Sequence, residues 1–527
     1  MMRVVRRPLY IAAALLSAAC ARASAPVATV PAQQPEPAPP PVNPSPVVVA
    51  APTTKALVQA FVDSVKAAPM WRNARWGMLV VDPVRGDTLV ALDADRIFMP
   101  ASNQKLLTAA IAMERLGPDF RWRTPVLLAG RARGTVWQGD LLVVGSGDPS
   151  VSDTLQGGRA AQAFAPVIAA LRARGITRIA GRLRAEGDAF PGATTGFGWA
   201  FDDFDEEYSA PVDELTFNEG ELTLRIRAAA KAGKPVTVER APTARYPRLR
   251  IDAVTRDSIA GSERPEPIRA AYDSLGETLV ISGSLRLGDS VVTTVSYRHP
   301  NDAYLAALQE ALADSGIVVQ QRPLAVRDTA KRAADTLVVL QSASFADVLR
   351  RMQKPSQNQI AELFFRTSGR VASGSGSVDS ARAVAARTLA GWGVTGADAA
   401  YRDGSGLSRH DYVSPRAIVK VLDAMRRSPH FAVYRDALPI AGVDGTIRNR
   451  MKGTPAQGNA RGKTGTLDKA RSLSGYVTTA DQQLVLFSLL CNNYTVPTRE
   501  VERVQDALVT MLAGRSLGVQ AVNAPAK

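Results

Sequence analysis

The sequence predicts an α/β (α+β) protein: an antiparallel sheet flanked by helices and split by a long insertion. Three observations predict it. Three strand-like runs follow one another late in the chain, at 459–467, 472–479 and 483–491, and a helical stretch at Thr498–Ala513 closes them. The start of the folded part also combines a helix with a hairpin, so the two ends of the chain supply parts of one layered unit. Between them, residues 128–333 mix short strands and helices in a different rhythm. At about 150 residues per domain, 527 residues suggest three domains.

The elements follow from local pattern. In 56–67, Leu57, Phe61 and Val65 fall at i, i+4 and i+8, a helical stripe. Apolar runs at 76–81 and 87–92 flank Arg85-Gly86-Asp87, a hairpin signal. Pro100 precedes a helical stretch over 101–116, which Gly117 closes. In the middle, 160–174 and 303–315 read as helices, and 179–184, 222–228, 278–285 and 290–297 as strands. Residues 345–425 are rich in helix. No repeat of fixed period and no later run of 18 uncharged apolar residues appears.

The first segment predicts export. Arg3, Arg6 and Arg7 precede a mostly apolar run from Leu9 to Leu16 and then small residues, the pattern of a secretory signal over 1–19. Leu16-Ser17-Ala18-Ala19-Cys20 is similar to a bacterial lipobox, in which the cysteine is lipidated and tethers the chain to a membrane. Ordinary cleavage at a nearby A-x-A site is the alternative, and a Cys20–Cys491 disulfide a third. Residues 26–54 hold ten prolines, so 20–54 should be an extended tether. The periplasm or cell envelope is the expected location.

Composition narrows the function. Hydrophobic residues at 46% and charged residues at 21% suit a globular protein and exclude a wholly disordered one. Two cysteines and three histidines exclude a disulfide scaffold and argue against a zinc cage. No metal and no cofactor is expected. The formal charge of +15 favours anionic partners. Only 6% aromatic residues, no basic run and the export signal argue against nucleic acid. Anionic envelope polymers are the natural counterpart.

The residues that carry chemistry are few. Ser102 and Lys105 are three apart at the start of a helix, which puts both side chains on one face. A serine hydroxyl is a weak nucleophile and needs a base beside it. A lysine serves when burial and neighbouring charge bring its pKa toward neutrality. Ser356-Gln357-Asn358 is the second element, and Lys463-Thr464-Gly465, on a predicted strand, is the third. Lysine there can hold an anionic carboxylate, threonine can donate to it, and glycine lets a substrate backbone approach. Each triplet says little singly. The ordered set S-x-x-K, S-x-N, K-T-G is the motif set of penicillin-binding proteins and class A β-lactamases.

With these motifs the chain resembles the class C, low-molecular-mass penicillin-binding proteins, the D-alanyl-D-alanine carboxypeptidase/endopeptidase family. The likeness covers residues 55–515 and includes Gly145-Ser146-Gly147-Asp148-Pro149, Tyr208-Ser209-Ala210-Pro211, the run 403–409 (DGSGLSR) and the run 442–446 (GVDGT). It is also carried by the 254 positions between Ser102 and Ser356, far more than a compact β-lactamase has. The resemblance implies a β-lactamase/transpeptidase-like catalytic domain at 55–127 and 334–515. It is interrupted by inserted domain II at 128–147 and 223–333 and inserted domain III at 148–222, with a tail at 516–527.

The roles that follow are implied by this resemblance. Ser102 is the acylated nucleophile and Lys105 its base. Ser356 relays a proton to the leaving amine, with Lys105 and Lys463 tuning it, and Asn358 binds the substrate amide. Lys463 and Thr464 meet the terminal carboxylate, beside Gly465. The N–H groups of Ser102 and Thr466 form the oxyanion hole. Asp203, Tyr208 and Arg409 are the expected pocket for the diamino-acid side chain, the alternative being a merely solvated acidic loop. Asp468 stands where relatives commonly carry a polar residue. Peptidoglycan peptides are the expected substrate, β-lactams the covalent inhibitors, and a homodimer is allowed.

Two other readings remain open: a β-lactamase or esterase on the same Ser-Lys-Ser site, and a non-catalytic peptidoglycan-binding scaffold. The run 514–518 fits G-x-S-x-G but follows a helix, with no histidine after it. The run 458–464 is one residue short of a P-loop. His299, His410 and His430 do not cluster in sequence.

Overall fold

The structure, a computed structural model, describes residues 52–257, 266–325 and 333–518. The export signal, Cys20 and most of the tether lie outside the described residues. At the centre is a five-stranded antiparallel sheet. Its spatial order is Arg461–Leu467, Ala470–Thr478, Leu484–Asn492, Arg75–Asp82, Asp87–Leu92. The first strand of the chain therefore pairs with its last, Arg75 opposite Asn492 and Val81 opposite Leu486.

Both faces of this sheet are covered, which explains the near-continuous apolar run in Leu484–Asn492. Successive residues serve opposite cores. Leu486 and Leu490 face one side with helix Gln104–Leu116 and Phe364. Val485, Phe487 and Leu489 face the other, with Val58 and Val62 of helix Thr54–Ala67 and Leu508 and Leu512 of helix Thr498–Ala513. Helix Gln104–Leu116 is buried from Gln104 through Met113. Ala109, Ala110 and Ala112 leave it slim enough to be surrounded. Gly117, at φ +77°, ends it as the sequence predicts.

The middle of the chain builds a second core. Strands Arg123–Arg133 and Val136–Val144 form a hairpin extended on one edge by Asp335–Gln341. Helix Pro300–Asp314 packs there through Tyr304, Leu305 and Leu308. Trp122 belongs to the first core and Val126 to the second, so the chain changes core at the start of one strand. Three further small sheets follow, one of them Ser290–Ser296, Glu221–Arg227 and Thr237–Ala241.

Three expected elements differ. The predicted strand at 179–184 is two, Arg178–Ile179 and Leu183–Glu186. Gly181 bends between them where a Cβ would sit 2.2 Å from Asp140 Oδ1. The strand at 278–285 breaks at Gly283, φ +103°. The helix from 101 opens as a 3-10 turn, Ala101–Asn103, before the α-helix begins at Gln104. In each case a tight approach or turn overrides an apolar run.

Phe364 is fully buried and stacks between Trp122, at 5.8 Å, and Phe345, at 4.5 Å between ring centroids. Phe364→Ala should cost about 3–5 kcal/mol, read as a lowered denaturation midpoint.

Candidate active site

Three elements converge at one end of the central sheet. The first is the turn Pro100–Asn103. Ala101 sits at φ +48°, and Pro100 O accepts the Ser472 hydroxyl at 2.7 Å, which ties the turn to the sheet. Ser102 follows, half-buried at the head of the central helix, and Lys105 lies one turn in, with no exposed surface.

The second element is the sharp corner between helices Phe345–Gln353 and Asn358–Ser373. Ser356 holds φ +73° there, a left-handed conformation that costs a non-glycine residue about 1–3 kcal/mol. The corner is clamped from both sides. Gln357 caps the second helix by accepting from Ile360 N at 2.8 Å, and its amide donates to Glu219 O and Glu221 Oε1, both at 3.0 Å. Lys354 pairs with Asp444 at 2.7 Å on the other side.

The third element is edge strand Arg461–Leu467, which lies against the Ser102 turn. Asn103 Nδ2 donates to Lys463 O at 2.7 Å. Gly465 is needed for contact: a Cβ there would stand 2.4 Å from Pro100 O and 3.0 Å from Ser102 N.

The resulting geometry is dense. Lys105 Nζ donates to Ser102 Oγ at 3.0 Å, Asn358 Oδ1 at 2.5 Å and Ser405 O at 2.8 Å. Lys463 Nζ donates to Ser356 Oγ at 2.7 Å and Thr464 O at 2.9 Å. Thr464 Oγ1 donates to Thr446 Oγ1 at 2.7 Å. Burial lowers the Lys105 pKa to about 7, outweighing the attraction of Asp403, Glu362 and Asp411. Burial also pushes Lys463 well down, helped by repulsion from Lys105 and Arg471. A serine with a near-neutral amine beside it, and a second serine held by a second lysine, can transfer an acyl group without histidine or metal.

The structure brings Ser102, Lys105, Ser356, Asn358, Lys463 and Thr464 together. Tyr208 adjoins them, since Asn358 Nδ2 donates to its carbonyl at 2.7 Å, and its hydroxyl donates to Asp203 Oδ1 at 2.8 Å. The Arg409 guanidinium reaches Asp468 O, just past the end of the Lys463 strand, at 3.5 Å. His410 packs against Phe197, with centroids 5.1 Å apart. Ser516 is bound to Asp481 at 2.9 Å. Two concavities of ≈ 500 and ≈ 1090 Å³ lie in the inserted part and share no motif residue.

Sequence reasoning assigned no role to Ser405, Thr446 or Gln357. Gln357 was the unread middle of S-x-N. The other two lie inside the stretches 403–409 and 442–446, whose glycines were the available signal: Gly406, at φ +81°, has room for no Cβ beside Ala101 O.

Comparison with known proteins shows the family. The model of the D-Ala-D-Ala carboxypeptidase 3 (S13) family matches residues 58–515. The chain belongs to that family. It is 32% identical over 467 residues to a D-alanyl-D-alanine carboxypeptidase of Actinomadura sp. (strain R39), covering 86% of this chain and 84% of that one. It is 27% identical to D-alanyl-D-alanine carboxypeptidase DacB of Haemophilus influenzae over 440 residues, 78% of this chain and 84% of that protein. The crystal structure of penicillin binding protein 4 (dacB) from Haemophilus influenzae superposes with a TM-score of 0.72 at 22% identity, covering 85% of this chain and 98% of that one. The fold is thus that of a penicillin-binding protein, as the motifs imply.

Gly465→Ala would push the Lys463 strand off the Ser102 turn. A misplacement of about 1 Å at a reacting centre costs roughly 100-fold. Acylation by a fluorescent penicillin should fall by that order, while the far-ultraviolet circular dichroism spectrum is retained.

Proposed function

We propose that this S13-family enzyme is a serine D-alanyl-D-alanine carboxypeptidase that also cleaves D-Ala–meso-diaminopimelate cross-links in peptidoglycan, through an acyl-serine intermediate that β-lactams imitate. The observation that carries the reading is Lys105: fully buried, 3.0 Å from Ser102 Oγ, and without a salt bridge among the described residues.

The steps follow from the contacts. Neutral Lys105 takes the Ser102 proton as Oγ attacks the carbonyl carbon of the penultimate D-alanine. The negative charge that develops on the carbonyl oxygen meets the N–H groups of Ser102 and Thr466; one such donor is worth about 2.7–4 kcal/mol of barrier. The C–N bond breaks, and the leaving nitrogen takes a proton from the Ser356 hydroxyl. Ser356 recovers it from the lysine pair, which returns the proton that Lys105 accepted. Water then attacks the ester carbon and frees Ser102.

The terminal carboxylate belongs at Lys463 and Thr464. An anion there restores the ammonium form of Lys463, which burial disfavours in its absence. Asp203 and Tyr208, beside Asn358, supply an acidic and aromatic wall for the cationic end of a diamino acid. Arg409, which reaches Asp468 O, adds a guanidinium beside the end of the Lys463 strand. The arginine-led leader supports export, with Cys20 as the lipid anchor. The two hydrophobic cores support one catalytic unit made from both ends of the chain, with the middle inserted.

Intact-protein mass spectrometry with benzylpenicillin tests the site. A single stable adduct on the wild type, absent in Ser102→Ala, is expected. Rapid turnover without an adduct would favour a β-lactamase, and neither adduct nor turnover would leave only a scaffold. Because Lys105 must be neutral to act, the acylation rate constant should rise with pH and reach half its plateau near about 7.

A further inference from the structure

Three carboxylates that the proposed mechanism does not use act on Lys105. Glu362, Asp403 and Asp411 are 4%, 2% and 0% exposed. None has a salt bridge within 4 Å among the described residues, yet each grips backbone N–H groups of one short segment. Glu362 Oε1 accepts from Gly404 N at 3.0 Å and Ser405 N at 2.8 Å. Asp403 Oδ1 accepts from Ser405 N at 3.1 Å and Gly406 N at 2.7 Å, and its Oδ2 from Ser408 N at 2.8 Å. Asp411 Oδ1 accepts from Arg402 N at 2.6 Å. The peptide so held presents Ser405 O to Lys105 Nζ at 2.8 Å.

Burying three carboxylates is costly unless their oxygens are satisfied. A loop of seven residues could be shaped by turns alone, without charge. The grouping has a consequence at the site: the Ser405 carbonyl is one of only three acceptors on the base, and it cannot shift without breaking charge-assisted bonds. Asp403 Oδ2 also accepts Trp199 Nε1 at 2.9 Å, so the same clamp holds the loop that carries exposed Phe197 and Phe201.

We propose that Glu362 and Asp403 are positioning residues that set Lys105: they fix the Ser405 carbonyl that aims its Nζ at Ser102, and as buried acids they tune the pH dependence of acylation. This rests on the reading of Lys105 as base. The titratable groups that act on Lys105 are these two, Asp411 and Lys463; burial pushes Glu362 up to about 7 and Asp411 well up, and holds Lys463 well down. Facing Glu362 are Asp403 and, one turn along its helix, Arg366. Facing Asp411 are Asp403 and Tyr401, whose hydroxyl bonds Thr108 on the central helix. When ionised, the carboxylates raise the pKa of Lys105 against burial, so removing one lowers it wherever that carboxylate is ionised; burial and Asp403 hold Glu362 itself up at about 7.

The test uses Glu362→Gln and Glu362→Ala in the full chain, with benzylpenicillin acylation measured across pH and peptide hydrolysis resolved into kcat and KM. Glu362→Gln keeps an oxygen for both N–H groups and removes the charge. Its acid limb should move down by roughly one pH unit, with an unchanged unfolding temperature. Glu362→Ala releases the segment; its plateau acylation rate and kcat should fall roughly 100-fold while KM holds. Should Glu362→Ala not fold, Asp403→Asn carries the same comparison. A Glu362→Gln limb superimposable on the wild type, or a Glu362→Ala loss confined to KM, overturns the proposal. Failure of the wild type itself to form a Ser102 adduct would overturn the catalytic reading instead, so the two are separable.

Discussion

The burial of two lysines in one small, dry site is the constraint on which this structure turns. An ammonium without a carboxylate partner is expensive in a protein interior, and the group responds by giving up its proton. Lys105 and Lys463 are both fully buried, and they repel one another. Their other contacts are hydroxyls, an amide oxygen and backbone carbonyls, which accept hydrogen bonds without adding charge. Such partners orient an amine and leave it free to be neutral. The price of this arrangement is borne by the surrounding fold.

That support comes from distant parts of the chain. Ser102 lies in the turn at the head of the central helix, Lys463 on an edge strand, and Ser356 at a strained corner. The corner is held by the segment that leads into the inserted part. Arg351 pairs with Glu219 at 2.6 Å, Gln357 reaches Glu219 O, and Gln359 Nε2 donates to Pro211 O at 2.7 Å. Gly220 leaves no room for a Cβ against the Gln359 amide. The long insertion therefore serves the site directly: it packs on the helix start that carries Ser356 and Asn358, and it offers Tyr208 to Asn358. Removing it would leave buried polar groups of that corner without partners, a cost of about 1–3 kcal/mol for each.

Much of the fold was legible because its signals are local. Helix Thr498–Ala513 shows its stripe, Gly117 its stop, and the three late strands their turns. Where the reading slipped, a long-range contact had overridden a local preference. Apolar residues on both sides of Gly181 argued for one strand, and only the close approach of Gly139 and Asp140 from the neighbouring strand breaks it. The same holds at Gly283, whose Cβ would meet Pro267 O.

The sequence by itself determined the reactive groups, their order and the family. Ser102 and Lys105 are three apart on a helix, and helical geometry alone makes them neighbours. What only the tertiary structure decided is the state of those groups. The pKa of Lys105 depends on how much water the fold removes from it and on where Glu362, Asp403 and Asp411 end up, residues 257 to 306 positions away in the chain. The positive φ of Ser356, the need for glycine at 465 and the neutral shell around Lys463 likewise arise from packing between segments far apart in sequence. Electrostatic energies depend on distance in space and on burial, and a one-dimensional pattern encodes neither until the chain has folded.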